Sequence, residues 1–518
     1  MNRRRYVRIG ALATFGALVL LLALLSSTAL AAPTEDTVTV QVNDSHGAGL
    51  PGVTIHDQCG TSTLLFGTTD ASGQVTGTLP DGASCTVTAI YRNTSASDTQ
   101  TITDNMTFTF QTSAVTVTLK DHSGGPLAGG TVAYMPIGGG STIYLNGTGS
   151  STTDATGAIE GQLFDGTYDF RMQYAGGTDW MNGQTVSGAT EVDFKTGLLS
   201  VVYSNDLSYG GAAGDSTWFT KSGMELLPGT YLFHPRNTAC TVNIDAPDAG
   251  TTATKSIFAA HLVDSSNNPL AGGSARYAPG GSWTAMGTTD ANGWVCQVVD
   301  GALGSVKVGM TYHQAEVQKT QNIATNSIFS YQTALGTIQL IDHAGTGIAG
   351  GTVDQGGGFW DPGIATTDGS GNAYVELFPG YSYKFRMNYN PLSQIKTGDP
   401  TATPLVFQTG QIILHYSGSM KASLGGSWVA FSPPTVSTEL FSGTYTFDFD
   451  GFSTPITVTE GTSNEQSVIT AQLTDHHGHG VAGGVATWYH SGWHAMPDTN
   501  SGGWTGVVTS GTLGNVSV

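Results

Sequence analysis

Charged residues are scarce in this sequence of 518 residues: Asp, Glu, Lys and Arg make up 11%, against about 25% in an average soluble domain. Basic residues are scarcest, since 18 Lys and Arg face 38 Asp and Glu and give a net charge of −20. A polyanion repels nucleic acid and anionic lipid, so we expect neither as a partner. Low charge together with 72 glycines disfavours a helical enzyme and favours short strands joined by turns.

Long apolar runs are also absent, except at the N-terminus. Four arginines within residues 3–8 precede an apolar run over residues 11–25, and residues 29–31 (Ala-Leu-Ala) have the pattern of a signal-peptidase site. We therefore predict a signal peptide over residues 1–31, with an uncleaved membrane anchor as the alternative. Its removal takes the net charge from −20 to −24. No later segment is apolar enough to span a membrane, so the protein is expected to be secreted or on the cell surface, in either case extracellular.

The sequence also has no recognisable catalytic motif and few cysteines. The sequence contains no nucleophile elbow, zinc-binding helix or phosphate loop, which disfavours an enzyme. Four cysteines are too few to frame the mature chain, so hydrophobic packing must hold most of it together.

What the sequence has instead is internal repetition. Five segments begin with alternating apolar and polar residues, the period of a half-buried strand, and then break at an Asp-, Asn-, Ser- or Gly-rich turn. They start at Val38, Val115, Phe258, Gly336 and Ile469. A Thr-Asp-x-x-Gly turn follows in four of them. Several repeats then close with a strand that begins at Tyr168, Tyr231, Tyr383 or Tyr445.

Two shorter segments lack the Thr-Asp turn but share a pattern around Trp218 and Trp428. The repeats thus predict an all-β tandem array of small β-sandwich modules in the order A–B–C–A–B–C–A. Their predicted bounds are A1 37–113, B1 114–197, C1 198–256, A2 257–334, B2 335–410, C2 411–467 and A3 468–518. No flexible linker separates them, and the chain could extend on the order of 150 Å if the modules stack end to end.

The last module, A3, stops inside a strand when it is aligned with A2. An incomplete sandwich would expose a strand edge and an open core. We therefore expect either that the sequence is a fragment of a longer reading frame or that a partner chain supplies a strand, and that A3 is the least stable module.

The succession of strand, Asp-x-x-Gly-x-Pro-Leu-Ala-Gly, strand, Thr-Thr-Asp-x-x-Gly, strand and Gly-Thr-Tyr resembles the prealbumin-like (transthyretin-like), immunoglobulin-like β-sandwich of collagen-adhesin B-type repeats and carboxypeptidase regulatory-like domains. The resemblance is clearest in the A and B modules, whereas the C modules carry only its last third. It implies stalks or spacers of surface adhesins and pili, or accessory domains beside enzymes.

One family feature is expected to be missing. Collagen-adhesin B-type repeats often carry an internal Lys–Asn isopeptide bond with a nearby Glu. Here the only first-strand lysine is Lys120, the strand from Tyr168 has no Glu, and no Asn lies near Asp193. We predict that this cross-link is absent.

Asp-His pairs invite a catalytic or metal interpretation, but they recur at one turn of several modules, where an Asp that caps its own turn explains them better. These pairs are Asp121-His122, Asp342-His343 and Asp475-His476. The acidic turns make structural calcium a candidate cofactor. Each turn offers a single carboxylate, however, so no cofactor is expected. Five histidines of A3 are weak candidates for metal ligands, with solvated surface residues as the favoured interpretation. They are His476, His477, His479, His490 and His494.

Tryptophans and cysteines supply the other candidate residues. Two tryptophan pairs recur in A2 and A3, Trp283 with Trp493 and Trp294 with Trp504, and a core position is favoured for them over a sugar contact. Trp180 has no copy in the second block and is the candidate sugar contact.

The cysteines suggest two bridges. Cys59 and Cys85 flank the turn of A1, and strands facing each other across its core would bring their Cα atoms within about 7 Å, as a disulfide requires. Cys240 and Cys296 belong to adjacent modules and form a second candidate bridge.

Together these features predict a non-catalytic extracellular stalk or adhesin. Its expected partners are a surface glycan, a protein ligand or neighbouring copies of itself. Two alternatives remain: carbohydrate-binding accessory modules of a secreted enzyme whose catalytic domain lies outside this chain, and a filament or pilus-like subunit that assembles by strand exchange.

Overall fold

The structure is a computed structural model that describes residues 34–138, 140–147, 151–210, 216–219 and 223–518, so the predicted signal peptide lies outside the described residues. The described residues form strands and turns without any helix, which confirms the all-β fold. Within these ranges there is accordingly no helix that could cross a membrane. The chain divides into two compact units at Thr196/Gly197, and each is described by itself.

The first unit holds the sheets of A1 and B1, and we keep the predicted module names as labels. Its strands are β1 (Glu35–Asn43), β2 (Thr54–Gln58), β3 (Leu64–Thr68), β4 (Gln74–Pro80), β5 (Ser84–Tyr91), β6 (Thr94–Thr101), β7 (Met106–Gln111), β8 (Ser113–Lys120), β9 (Thr131–Pro136), β10 (Ile143–Tyr144), β11 (Ala158–Leu163), β12 (Gly166–Tyr174), β13 (Gly177–Val186) and β14 (Thr190–Lys195). A1 combines a sheet of order β4-β1-β7 with one of order β3-β2-β5-β6, and B1 combines β11-β8-β14 with β10-β9-β12-β13.

The second unit contains the remaining strands. Those of C1 and A2 are β15 (Gly197–Val202), β16 (Leu207–Gly210), β17 (Ser216–Phe219), β18 (Met224–Leu226), β19 (Thr230–Pro235), β20 (Val242–Asp245), β21 (Thr252–Val263), β22 (Ser274–Ala278), β23 (Thr284–Thr288), β24 (Trp294–Asp300), β25 (Ser305–Tyr312), β26 (Ala315–Asn322) and β27 (Ile328–Gln332). Those of B2 are β28 (Ala334–Ile341), β29 (Thr352–Gly356), β30 (Trp360–Thr366), β31 (Asn372–Leu377), β32 (Tyr383–Tyr389), β33 (Leu392–Gly398) and β34 (Leu405–Gln408). Those of C2 and A3 are β35 (Gly410–His415), β36 (Met420–Leu424), β37 (Ser427–Phe431), β38 (Thr435–Leu440), β39 (Gly443–Phe449), β40 (Phe452–Val458), β41 (Ser463–Gln472), β42 (Thr487–Tyr489), β43 (Trp493–Ala495) and β44 (Trp504–Ser510).

The short C modules also have two sheets. C1 pairs a sheet of order β17-β16-β19-β20 with one that contains β18, β15 and β21, and C2 pairs β37-β36-β39-β40 with β38-β35-β41. A2 has β23-β22-β25-β26 opposite β24, β21 and β27, and B2 has β30-β29-β32-β33 opposite β31-β28-β34. The sequence pattern therefore understated the C modules, which keep the two-sheet architecture with shorter strands and turns.

Alternation along the strands builds the cores. Val38, Val40 and Val42 of β1 are fully buried, while the residues between them are only partly buried. This is the two-residue period of a strand with one face on a core. In the second unit, buried side chains from Phe258 to Val468 form one continuous apolar cluster that runs through A2, B2 and C2.

The Asp turns are capped by their own carboxylates, as the sequence predicts. Oδ1 of Asp121 accepts hydrogen bonds from the backbone N–H groups of Ser123 and Gly125 at 2.8 and 2.7 Å. The hydrogen bond from the Ser123 hydroxyl, together with these backbone bonds, holds the pKa of Asp121 below its usual value. The same carboxylate oxygen that a cation would need is thus already engaged by the turn.

The second turn contains a buried threonine that the sequence analysis overlooked in A3. Thr69 accepts a hydrogen bond from Val53 N–H at 2.9 Å and donates to Leu50 C=O at 2.8 Å. Thr153, Thr289, Thr367 and Thr499 make equivalent pairs of bonds. The turn also needs glycine, because a Cβ at Gly73, where φ is +76°, would lie 2.3 Å from Val42 C=O.

The recurring tyrosines tie each closing strand to the preceding turn. The hydroxyls of Tyr168, Tyr231, Tyr383 and Tyr445 donate to backbone carbonyls four or five residues upstream, at 2.6–2.9 Å. Burial raises the pKa of Tyr168 and Tyr445, so these hydroxyls remain protonated donors over the physiological pH range.

A3 has a much smaller core than the other modules. Its buried cluster consists of Ile469, Trp488 and Met496, while Val485 and Trp493 are 77% and 65% exposed. The expectation that A3 is the least stable module remains a prediction, and this small buried area supplies its physical basis.

We predict that Asp290→Asn is tolerated and that Asp290→Ala is not. Asp290 Oδ1 accepts from the N–H groups of Asn292 and Trp294, both at 2.9 Å, and Asn500 does the same in A3 with an amide oxygen. Loss of the acceptor should cost about 1 kcal/mol, which raises local amide hydrogen exchange roughly fivefold. Mass-resolved hydrogen exchange of residues 289–296 tests this, and equal exchange in the two variants would contradict it.

Candidate functional site: the joints between modules

The modules meet at joints where one residue separates the last strand of one module from the first strand of the next. These residues are Thr112, Thr333 and Thr409, which are 2%, 4% and 0% exposed. A buried hydroxyl needs a hydrogen-bond partner. The partner lies in the following module and forms what we call the clasp.

The clasp is a Glu or Gln on the strand that precedes the closing tyrosine. At the A1–B1 joint, Gln162 Oε1 accepts from Thr112 Oγ1 at 2.9 Å and from Ser45 N–H at 3.1 Å. Its amide also donates to Ser45 Oγ at 2.9 Å. One side chain thus joins the buried connection to the Asp turn of the preceding module.

The same clasp recurs twice in the second unit with a carboxylate. Glu376 of B2 accepts from the Thr333 hydroxyl, from Ser265 Oγ at 2.6 Å and from Ser265 N–H at 3.1 Å. Glu439 of C2 accepts from the Thr409 hydroxyl and pairs with His343 Nδ1 at 2.7 Å. The residue after the turn Asp, whether Ser or His, therefore faces the next module.

A phenylalanine two residues after the clasp fills the preceding module. Phe164 of B1 is fully buried and belongs to the core cluster of A1. Phe378 of B2 is 1% exposed and lies edge-to-face with Tyr312 and Tyr331 of A2, at centroid distances of 6.5 and 6.4 Å. We call this residue the plug, because burying it ties the stability of two modules together.

A hairpin tip forms the third contact of each A–B joint. Tyr134 of B1 donates its hydroxyl hydrogen bond to Arg92 C=O in the tip between β5 and β6. Gln355, at the corresponding position of B2, donates to His313 C=O in the tip between β25 and β26 at 2.6 Å. The clasp, the plug and the hairpin tip thus form three separate contacts at each A–B joint.

The C–A joints use a different device, a single strand shared by two sheets. β21 pairs with β15 of C1 through residues 252–256 and with β27 of A2 through residues 259–263. β41 likewise pairs with β35 of C2 and with β44 of A3. Because the shared strand is hydrogen-bonded in both sheets, its backbone is held in the extended conformation across these joints.

Side chains reinforce the two C–A joints in different ways. A disulfide joins Cys240 of C1 to Cys296 of A2, with Cα atoms 6.2 Å apart. In C2–A3, Gly506 stands where A2 has Cys296, and Phe452 packs so closely that a Cβ on Gly506 would lie 2.5 Å from its ring.

The other disulfide lies within A1 and joins Cys59 to Cys85, with Cα atoms 4.3 Å apart. The expected route across the core is wrong. Cys59 follows β2 and Cys85 begins β5, and these two strands are antiparallel neighbours in one sheet. Adjacency within the sheet brings the cysteines together.

The four tryptophans of the two recurring pairs lie outside the buried cores, contrary to the favoured interpretation. Trp493 is 65% exposed, and Trp283, Trp294 and Trp504 are half-buried. Trp294 stacks on His261 with centroids 4.0 Å apart, which shows that the outer faces of the sheets pair aromatic rings. Trp180 is 38% exposed with Arg171 5.8 Å from its ring centroid, and its role as a sugar contact stays a prediction.

The five A3 histidines fall into two groups. His476, His477 and His479 lie on the Asp turn, and the rings of the first two are 3.6 Å apart. His490 and His494 lie beside Trp488 on the hairpin of β42 and β43. Across the described ranges, no three His, Cys, Asp or Glu side chains are arranged to hold a metal ion.

Comparisons with known proteins add no family assignment, since no family model and no curated protein matches the sequence. Solved structures with some similarity include the Bacillus anthracis TIE protein, at 12% identity, with 69% of this chain and 68% of that chain covered and a TM-score of 0.15. A mutant of the shaft pilin SpaA from Lactobacillus rhamnosus GG is 16% identical, with 31% and 97% covered and a TM-score of 0.18. BcpA, the major pilin subunit of Bacillus cereus, is 13% identical, with 68% and 99% covered and a TM-score of 0.12. At such scores the all-β assignment rests on the strands of this chain alone.

The sequence analysis missed the clasp and the plug, although their signal was present. Gln162-Leu-Phe, Glu376-Leu-Phe and Glu439-Leu-Phe precede the closing tyrosines of B1, B2 and C2, whereas Val298 and Val508 occupy this position in A2 and A3. The motif thus occurs in modules that follow an A or a B module. A Glu-Leu pair was visible as a repeat marker, but its role required the partner residues in the neighbouring module.

We predict that Glu376→Gln preserves the A2–B2 joint and that Glu376→Ala loosens it. An amide serves at Gln162, whereas alanine leaves the Ser265 N–H without its acceptor and the buried Thr333 hydroxyl with the longer hydrogen bond to Val263 C=O, at 3.3 Å. The expected cost is about 1–3 kcal/mol, or roughly 5- to 150-fold faster exchange at the joint. Hydrogen exchange of peptides around residues 264–268 and 331–337 measures it, with the A1–B1 joint as internal reference. Unchanged exchange in Glu376→Ala would contradict the clasp.

We predict that Lys120 forms an ion pair rather than an isopeptide bond. Its Nζ lies 2.8 Å from Asp193 Oδ1, and the hydrogen bond that Lys120 donates to Asp193 raises the pKa of Lys120. Burial alone would raise the pKa of Asp193, but hydrogen bonds from Lys120 and Thr118 outweigh it and lower the pKa. A charged, solvent-accessible pair disfavours condensation, so the intact mass of the mature chain, measured after its two disulfides are reduced, should match the sequence mass. A deficit of one water, as Asp would require, or of one ammonia would contradict this.

Proposed function

We propose that this protein is a non-catalytic, load-bearing repeat protein of the cell surface or extracellular space, built from the seven modules whose bounds the sequence predicts. It acts as a structural stalk. The observation that carries the proposal is the parallel pairing of the first and last strands of each module.

In each module from A1 to C2, the strand through which the chain enters lies beside the strand through which it leaves. In A1, β1 and β7 are parallel over Val38↔Met106 to Asn43↔Gln111, and in B1, β8 and β14 are parallel over Val115↔Thr190 to Lys120↔Lys195. Tension along the chain therefore pulls the two strands in opposite directions along their length. All the hydrogen bonds between them must then yield together, whereas peeling would break them one at a time.

The joints transmit this tension because their contacts restrict the movement of one module against the next. Clasp, plug and hairpin tip fix the A–B joints, and shared strands fix the C–A joints within the second unit. Because the joints at Thr112, Thr333 and Thr409 bury a polar connection that is hydrogen-bonded, opening them costs free energy that an exposed linker would not.

Single-molecule force spectroscopy on the mature chain tests the proposal. With the chain held at its two ends, we expect successive unfolding events at high force. As a control, the same chain is held at Ser113 and Leu163, which are paired at one end of β8 and β11, so that load peels B1. Peeling should need several-fold less force. An end-to-end unfolding force no higher than the peeling force would refute a load-bearing role.

Assembly with neighbouring copies by strand exchange is a second candidate, favoured by the edge of A3. In A2, β21 is paired on both sides, with β24 and β27. In the described part of A3, residues 468–472 of β41 are paired with β44 only, and the exposed Val485 and Trp493 lie in the same module. An incoming strand would complete the sheet and cover apolar surface.

Sedimentation at increasing concentration tests this candidate. The mature chain should form oligomers, and Val485→Lys should weaken them. A chain that stays monomeric at high concentration would exclude self-assembly through A3 and would leave the load-bearing role standing.

A further inference from the structure

A2 contains the sheet β23-β22-β25-β26, which we call its hairpin sheet, and the corresponding sheets of B2 and C2 are named in the same way. A tryptophan packs against the outer face of the A2 hairpin sheet. Trp283 precedes β23, and the edge of its ring lies over Gly309 of β25, where a Cβ would be 2.1 Å from Glu316 Oε1 and 3.4 Å from the ring. The ring is half-buried. The absence of a side chain at Gly309 leaves room for the Glu316 carboxylate beside the ring.

An arginine holds this ring in place. The Arg276 guanidinium lies 4.4 Å from the ring centroid and makes a two-pronged contact with Glu316, whose Oε1 accepts from Nε at 2.8 Å. Glu316 neutralises the arginine, so Arg276 and Glu316 serve to position the ring.

A lysine beside the ring has no such neutralising partner. Lys307 Nζ lies 5.9 Å from the ring centroid of Trp283, and within the described ranges no carboxylate forms an ion pair with it. A pocket of about 300 Å³ opens here, lined in part by Trp283, Lys307, Ser305 and Thr320. Its volume is at the lower end of the range for small-molecule sites.

B2 repeats the arrangement with different residues. Trp360 covers Gly356, where a Cβ would lie 2.7 Å from the ring, and Arg386 lies 4.5 Å from the ring centroid. Asp354 neutralises this arginine, accepting from Nε at 2.8 Å. Lys384 lies 5.5 Å from the ring and, in the part of the chain described, is likewise without a carboxylate partner.

The two lysines occupy the same rung of their sheets. Lys307 is opposite Ala278 of β22, and Lys384 is opposite Gly356 of β29. These positions correspond in the two repeats. In a protein with so few cations, an unpaired lysine beside a tryptophan in consecutive modules points to a ligand that carries negative charge.

We propose that Trp283 and Lys307 bind a uronic acid residue of a short acidic oligosaccharide, and that Trp360 and Lys384 form a second site of the same kind. The flat apolar face of the indole packs on the C–H side of a pyranose ring, and the ammonium group binds the ring carboxylate. Ser305 and Thr320 are placed to hydrogen-bond the sugar hydroxyls.

The acidity of the whole chain does not prevent this binding. Charges more than about 8–10 Å away are largely screened at physiological ionic strength. Seven of the ten Lys and Arg residues after position 196 lie on the hairpin sheets of A2, B2 and C2. The local field at the two sites is therefore less negative than the net charge implies.

Calorimetric titration of the mature chain with tetragalacturonate tests the proposal. We expect binding that the double variant Lys307→Gln/Lys384→Gln weakens at least about tenfold and that Trp283→Ala/Trp360→Ala removes. Trp493→Ala is the matched control, because this exposed tryptophan corresponds to Trp283 while Thr487 and Ser517 stand in place of its cations. It should bind like the parent chain.

Two further ligands test whether both the sugar rings and the negative charge are needed for binding. The methyl ester of tetragalacturonate keeps the sugar rings and removes the charge, and an oligoglutamate keeps the charge and removes the rings. Both should bind at least about tenfold more weakly than the acid. Absence of binding, equal binding of either ligand, no effect of the lysine variants, or an equal effect of Trp493→Ala would each overturn the proposal. The lysines are exposed, so their replacement leaves the fold intact and the result interpretable.

Discussion

A buried threonine between two strands is the constraint on which the joints depend. Thr112, Thr333 and Thr409 connect consecutive modules with no intervening residue, so each module begins inside the interface with the one before it. A hydroxyl in that position needs an acceptor, and each of these finds a side chain of the next module beside a more distant backbone carbonyl of the preceding module, at 3.3–3.5 Å. The Glu or Gln that accepts the threonine hydrogen bond also contacts the turn of the preceding module. These two contacts fix the orientation of the clasp strand relative to that turn.

The two kinds of joint explain the block structure of the sequence. B1, B2 and C2 carry the clasp and the plug because they follow a module that ends in a threonine connection. The A2 and A3 modules have Val298 and Val508 at the clasp position because they receive their first strand directly from a C module. Duplication of a three-module block therefore keeps the described clasps opposite their partners, whereas duplication of a single module would set a clasp against a surface that lacks its partner.

Local patterns made much of the fold predictable from the sequence. The alternating strands, the Asp-capped turns and the buried tyrosines each depend on residues close in sequence, so their signals are complete within one repeat. The joints were not predictable in this way, because Gln162 acquires its role only from Ser45 and Thr112 of another module. The tryptophans were misjudged for a related reason. A recurring tryptophan in a β-sandwich is usually buried, yet Trp283 finds its packing partner on the outer face, where it lies against the neutralised arginine Arg276.

The cysteine bridge between C1 and A2 gives two otherwise equivalent joints different chemical sensitivities. A reductant would convert the link between Cys240 and Cys296 into two thiols, while the shared strand and the two hydrogen bonds between Ser204 and Ser327 would remain. The matching joint of the second block has its own shared strand, the contact of Phe452 with Gly506 and the hydrogen bond from Asn500 Nδ2 to Gly451 C=O, which no redox change can alter. A single protein thus contains one joint whose stiffness follows the oxidising power of its surroundings and one that is indifferent to it, so a change of compartment would soften the first block selectively.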